Sequence, residues 1–296
     1  MTAETTPVGR PLPASRPFGE RLREAMTAHG PVCVGIDPHQ ALVEQWGLTY
    51  DLAGVERFAL TCVEAFAGSV ACVKPQSAFF EVFGSRGVAV LERVLTDLRS
   101  AGTLTILDAK RGDIGSTMAA YAQAYLSDEA VAPADALTVS PYLGYGSLRP
   151  ALDLAEATGR GLFVLALTSN PEGAGVQHAV RDDQAVAATI VAGAAEDNLG
   201  ARLDGRLGSV GLVVGATVGT AVQDLGIDLA AANAPLLAPG VGAQGAGPQD
   251  LRRVFSGARH NVLASTSRGV LRHGPSAPAL RDAAIAEATA VAAALA

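Results

Sequence analysis

The densest chemistry in this chain lies in one uninterrupted segment, Asp108-Ala109-Lys110-Arg111-Gly112-Asp113-Ile114-Gly115-Ser116-Thr117. It directly follows the apolar run Leu104 to Leu107, which reads as a buried strand, so Asp108 and Lys110, two residues apart, would face the same side. An ammonium held beside carboxylates keeps its proton, because opposite charge favours the charged form, and can later deliver that proton as a general acid. Taken alone, Asp-x-Lys-x-x-Asp reads more readily as a surface ion pair, because charged loops are common.

The elements that must position these groups are short apolar runs rich in β-formers. Eight are present: Val32 to Ile36, Val70 to Val73, Leu104 to Leu107, Ala136 to Val139, Leu162 to Leu167, Val210 to Val214, Leu236 to Leu237 and Val262 to Leu263. Their starts lie 26 to 48 residues apart, enough for a strand and a returning helix, and no Pro/Gly/Ser linker divides them. This pattern predicts an α/β fold, a closed (β/α)8 TIM barrel, with catalytic groups at the carboxyl ends of the strands. A doubly wound open sheet is the alternative. Most runs end in polar or turn-forming groups: Asp37-Pro38-His39, Lys74-Pro75-Gln76, Asp108 to Lys110, Ser140-Pro141, Thr168-Ser169-Asn170, Pro239-Gly240 and Ser267-Arg268. In a barrel these converge on one face. The Ala-rich stretch Ala279 to Ala296 favours a closing helix. The stretch Asn170 to Gly208 is longer than the other crossovers, and the sequence leaves open whether it is a lid or an extra helix.

Composition narrows the function. The chain has 296 residues, 49% hydrophobic and 17% charged, and a net charge of −7, so it carries no global positive field for nucleic acid or an acidic membrane. An anionic ligand needs a locally basic pocket. No segment approaches the roughly 20 continuous apolar residues of a membrane helix, and Cys33, Cys62 and Cys72 lack metal-ligand spacing and mostly sit in apolar runs, which predicts a soluble protein of the reducing cytoplasm. Residues 1–17 are expected to form a flexible amino-terminal tail and 18–296 a single barrel domain. The histidines, His29, His39, His178, His260 and His273, show no metal spacing either; His39, beside Asp37, is the one closest to the expected site.

Gly240-Val241-Gly242-Ala243-Gln244-Gly245 spells G-x-G-x-x-G. A dinucleotide-binding unit would need an acidic residue about 20 positions on, where this chain has Ser265-Thr266-Ser267-Arg268; an arginine there could still suit a 2′-phosphate. A barrel phosphate site is the other reading, since loops after the seventh and eighth strands commonly bind phosphate through backbone amides.

In order and wording, Val-Gly-Ile-Asp37-Pro-His, Val-Lys74-Pro-Gln, the Asp108 to Thr117 segment, Leu-Thr-Ser169-Asn-Pro, Pro239-Gly-Val-Gly-Ala-Gln244-Gly and Arg268 resemble the orotidine 5′-phosphate decarboxylase family, in its longer second type. The resemblance covers all but the first dozen or so residues. It implies loss of carbon dioxide from orotidine 5′-phosphate to give uridine 5′-phosphate, with no cofactor and no metal. It assigns Lys110 to stabilising and protonating a ring carbanion and Asp108 to a place beside the departing carboxylate. Asp37 and Lys74 would bind the ribose and join Asp108, Lys110 and Asp113 in an alternating network. Ser169 would contact the pyrimidine and Pro239 would line its pocket, while Gln244 and Arg268 hold the phosphate. Asp113, Ile114 and Thr117 would come from a neighbouring subunit, implying a homodimer with shared sites. Two other readings stay open: another phosphate-binding barrel lyase, or a non-catalytic nucleotide-binding protein.

Overall fold

Strands buried on both faces must be closed off by neighbours on every side, and this chain does so by curling its sheet on itself. In the computed structural model, which describes residues 16–241 and 245–296, the barrel strands are β1 (Val32–Ile36), β2 (Cys72–Pro75), β3 (Leu104–Arg111), β4 (Ala136–Val139), β5 (Gly161–Leu167), β8 (Val210–Val214), β9 (Leu236–Pro239) and β10 (Val262–Thr266). All pair in parallel with their neighbours, and β10 returns to β1 to close the ring. The open-sheet alternative is thereby excluded. Each expected run forms a strand. β2 lies two residues later than its apolar run, β3 and β10 continue into polar residues that hydropathy alone reads as loop, and β9 runs on through Ala238 to Pro239.

The long Asn170 to Gly208 stretch holds more than one added helix. After β5 come a 3-10 turn (Pro171–Gly173), a short helix (Ala174–Gln177) and a two-residue-per-strand antiparallel hairpin, β6 (Val180–Arg181) with β7 (Gln184–Ala185). The crossover helices Val186–Asp197 and Leu199–Leu203 follow. Asp182 and Asp183 turn the hairpin at positive φ, the conformation that a tight two-residue connection of matching twist requires.

Two apolar layers hold the barrel. Val34, Ile36, Val73, Leu107, Val164 and Val214 face outward onto the helices; Cys33, Cys72, Ile106, Phe163, Val213 and Leu263 fill the interior. The helix Phe18–His29 stoppers the amino-terminal end, placing Phe18, Leu22 and Met26 against that interior. Phe18 meets Phe163 edge to face at 6.0 Å between centroids. Gly161 makes the seat possible, since a Cβ there would lie 2.4 Å from the Phe18 ring. Arg21 locks the helix down through Asp135 at 2.5 Å and the Gly159 carbonyl at 3.0 Å. The helix Ala277–Leu295 closes the outer layer, where Arg281 donates to the carbonyls of Glu64 and Ala65. The tail expected over 1–17 lies, up to residue 15, outside the described residues.

Phe18 is fully buried at the end of the barrel opposite the polar strand ends. Phe18→Ala should therefore cost about 3–5 kcal/mol of unfolding free energy, the usual range for emptying a large aromatic site, without changing turnover per folded molecule. Urea titration of the two proteins, with active-site-normalised rates, checks both halves.

Candidate active site

Asp108 sits where β3 leaves the barrel, with 6% of its surface exposed. A carboxylate so far out of water is tolerable only when its lone pairs are filled, and four donors fill them. Lys74 Nζ (2.7 Å) and Gln76 Nε2 (3.1 Å), from the end of β2, bind Oδ2. Lys110 Nζ (2.6 Å) and the hydroxyl of Thr138 on β4 (2.9 Å) bind Oδ1. Lys74 and Lys110 are the only lysines in the chain.

The backbone between Asp108 and Lys110 is not the flat strand that simple alternation assumes. Leu107 faces Leu137 and Arg111 faces Val139, so three residues of β3 stand opposite the single residue Thr138 of β4. Lys110 takes up the slack at φ +46°, a left-handed conformation uncommon for a side-chain-bearing residue. Its side chain turns back to Asp108, while Arg111 leaves on the other side to Glu81 at 2.6 Å, with its guanidinium over the rings of Tyr121 and Tyr125.

Burial opposes the charge on Lys74, but Asp37 and Asp108 outweigh it and hold the lysine pKa above its ordinary 10.5. Burial likewise opposes ionisation of Asp108, and Lys74 and Lys110 overcome it, holding the carboxyl well below 3.8. Lys74 and Asp108 are thus both ionised throughout the neutral range. Asp37 stands at the end of β1 with Oδ1 buried and unpartnered, and the Ser267 hydroxyl at the end of β10 is unpartnered too. The two approach across Gly35, where a Cβ would lie 2.9 Å from Ser267 Cβ and 3.1 Å from Asp37 Oδ2. Orphaned polar atoms at a strand-end mouth are free to bind a ligand. His39 packs on Phe79 at 4.4 Å, and burial lowers its pKa against the pull of Asp37, with Arg268 adding to the fall.

The other expected residues fall around this mouth in two sets. Pro239 ends β9 and Ser169 is exposed just after β5. Arg268 opens the short helix Arg268–Leu271, exposed and without an ion pair among the described residues. Gly240 and Ala246 close the seventh loop through a backbone hydrogen bond of 3.1 Å; Gln244 lies outside the described residues. Asp113, Ile114 and Thr117 stand apart. Asp113 Oδ1 accepts from its neighbour Ile114 N at 2.8 Å rather than from a lysine, Ile114 is 61% exposed, and Thr117 is exposed on the first turn of the helix Gly115–Leu126. The ion-paired network therefore joins Lys74, Asp108 and Lys110 within the chain, with the charge of Asp37 acting on Lys74 from the end of β1, and leaves Asp113 out. Among the described residues, no three His, Cys, Asp or Glu side chains gather as metal ligands.

Sequence reading missed Thr138, Gln76 and Ser267 as members of the site. Gln76 and Ser267 each adjoin a strand-end residue already singled out, which is a usable signal. Thr138 offers none, being one hydroxyl inside an apolar strand.

An array of lysines and aspartate at the carboxyl-end mouth of a closed parallel barrel defines a TIM barrel with its polar groups where barrel enzymes carry their active sites, and comparison narrows the class. Residues 30–283 match the model of the orotidine 5′-phosphate decarboxylase / HUMPS family, and the chain belongs to that family. It is 63% identical over 270 residues to an orotidine 5′-phosphate decarboxylase of Streptomyces coelicolor, covering 90% of this chain and 94% of that one. A solved structure from Streptomyces avermitilis, assigned provisionally to the same enzyme, superposes with a TM-score of 0.90 at 59% identity over 95% of this chain and 97% of that chain. The orotidine 5′-phosphate decarboxylase of Leishmania donovani superposes at 0.70 with 28% identity, over 93% and 99% of the two chains.

The pKa directions fix how the array responds to pH. Asp108, depressed in the folded protein, contributes stability that is present above the ordinary carboxyl pKa and is lost as pH falls below it. Lys74, raised, contributes stability present below 10.5 and lost above. The stability advantage of wild type over Asp108→Asn should stay level from about pH 5 to 8 and shrink from about pH 4 to 2. Denaturant titrations of both proteins across that range measure it; an advantage that grows towards pH 2 would contradict the charged state assigned here.

Proposed function

We propose that the chain is an orotidine 5′-phosphate decarboxylase that loses carbon dioxide from the pyrimidine ring without a cofactor. The observation that carries this reading is the buried Asp108 carboxylate between Lys74 and Lys110 at the barrel mouth. Loss of the substrate carboxylate leaves an electron pair on the ring carbon. Lys110, half exposed towards the mouth, lies where it would stabilise that pair and then protonate it. Asp108 would face the departing carboxylate, and its repulsion is relieved as carbon dioxide leaves. Substrate would bind Asp37 and Lys74 through its ribose hydroxyls, Ser169 and Pro239 along the pyrimidine, and Gln244 with Arg268, which has no ion pair among the described residues, through its phosphate.

Asp113, Ile114 and Thr117 would complete the site of a second copy in a homodimer. The exposure of Ile114 and Thr117, and the absence among the described residues of an ion pair between Asp113 and Lys110, support it. Exposed Tyr142 and Leu143, in the loop after β4, add apolar surface for such an interface. The ligands are then orotidine and uridine 5′-phosphates, not nucleic acid or a membrane, and the three buried free thiols suit the cytoplasm. Residues 18–296 would form one barrel domain. A Schiff-base aldolase on the same scaffold would need an unpaired, desolvated lysine, and both lysines are paired with Asp108.

After exhaustive chelation the purified protein should convert orotidine 5′-phosphate to uridine 5′-phosphate at an undiminished rate, and Lys110→Ala should abolish turnover while still binding the product. A Lys110→Ala protein with near-normal turnover would remove the proton-donor assignment.

The shared site has its own test. Lys110→Ala and Asp113→Ala should each be inactive alone, yet mixed dimers hold one site with both groups intact. Random exchange at equal amounts should restore about a quarter of wild-type activity. No recovery, with mixed dimers confirmed by native mass spectrometry, would place Asp113 in its own subunit's site.

A further inference from the structure

We infer that Thr138, a buried residue on β4, is the positioning residue that sets the geometry of Asp108 and Lys110. The inference rests on the decarboxylase reading and adds the part that holds its two reacting side chains in place.

The mismatch between β3 and β4 creates the need. Where three residues of one strand face one of the other, the ladder cannot pair the backbone of the surplus residues, and buried amides left without acceptors are costly. Thr138 is the single residue opposite, and its hydroxyl supplies the missing acceptor. Thr138 Oγ1 accepts from the backbone N–H of Ala109 at 3.0 Å and of Lys110 at 2.9 Å. With its own proton it donates to Asp108 Oδ1 at 2.9 Å. One oxygen thus fixes the backbone of the proton donor and the carboxylate beside it. At 1% exposure, it does so out of reach of competing water.

The same contacts account for the conformation of Lys110. A non-glycine residue at φ +46° is strained and persists only where its surroundings over-determine it. The Lys110 amide is tied to Thr138, its ammonium to Asp108, and the next residue to β4 through Ser140 N donating to the Arg111 carbonyl at 2.8 Å. The hydroxyl is the one side-chain acceptor in that set for the bulged amides. A serine would keep it, and a valine of nearly the same shape would not.

The test separates positioning from binding and from packing. Thr138→Val should lower kcat about ten- to a hundredfold, the range expected from stranding buried polar groups. KM for orotidine 5′-phosphate and affinity for uridine 5′-phosphate by calorimetry should stay within about threefold, because the ribose and phosphate contacts lie elsewhere. Thr138→Ser should restore kcat to within about threefold of wild type. If the valine protein fails to fold, Thr138→Ala carries the same expectation against the same serine rescue. Valine turnover within twofold of wild type would overturn the inference. So would a serine variant as impaired as the valine one, or a loss of product affinity as large as the loss of kcat. An inactive wild type would overturn the functional reading and this inference with it; an active wild type with an unimpaired valine variant would overturn this inference alone.

Discussion

A carboxylate held almost out of water between two ammonium groups is the constraint on which the rest of the architecture turns. Charges cost several kcal/mol each to desolvate, and the attraction between them repays this only when geometry is close and every remaining lone pair is filled. Asp108 meets that demand with donors from three adjacent strands: Lys74 and Gln76 from β2, Thr138 from β4, and Lys110 from its own strand. The register of β2 against β3 and of β3 against β4 must therefore both be correct before the carboxylate is satisfied. A closed barrel, which leaves none of these strands at an edge, supplies that rigidity.

Much of this was legible in the sequence because parallel barrel strands are buried on both faces and read as continuous apolar runs. Val32 to Ile36, Ala136 to Val139 and Val210 to Val214 are strands with the bounds their hydropathy predicts. Strand ends were harder, since residues that turn to a polar mouth look like loop: β3 runs on through Asp108 to Arg111. Alternation correctly brought Asp108 and Lys110 together, although the actual backbone is bulged. Register was not legible. Thr138 lies 28 residues after Lys110, and its hydroxyl meets that amide only because β4 pairs with β3 two residues out of step. The hairpin of β6 and β7 escaped for a different reason, having strands too short to carry any periodicity.

Electrostatic duties are divided by residue type. Structural cationic contacts fall to arginine: Arg21 to Asp135, Arg160 to Asp128, Arg206 to Glu20, and Arg281 to two backbone carbonyls. The guanidinium suits this work, with its planar fork of donors and permanent charge. The compact ammonium of lysine, which can part with a proton, occurs only at the mouth, at Lys74 and Lys110.

That division has a practical side for anyone handling the protein. Apart from the chain's amino terminus, amine-reactive reagents have two side chains to find, and Lys74 is only 9% exposed against 46% for Lys110. Acylating dyes, biotin esters, aldehyde fixatives and ester-activated resins, which on most proteins scatter over a lysine-rich surface, are funnelled here to the mouth of the barrel. Conjugation intended as a neutral tag therefore lands on the mouth as well as on the amino terminus, and a bound nucleotide covering the mouth would shield Lys110 from it.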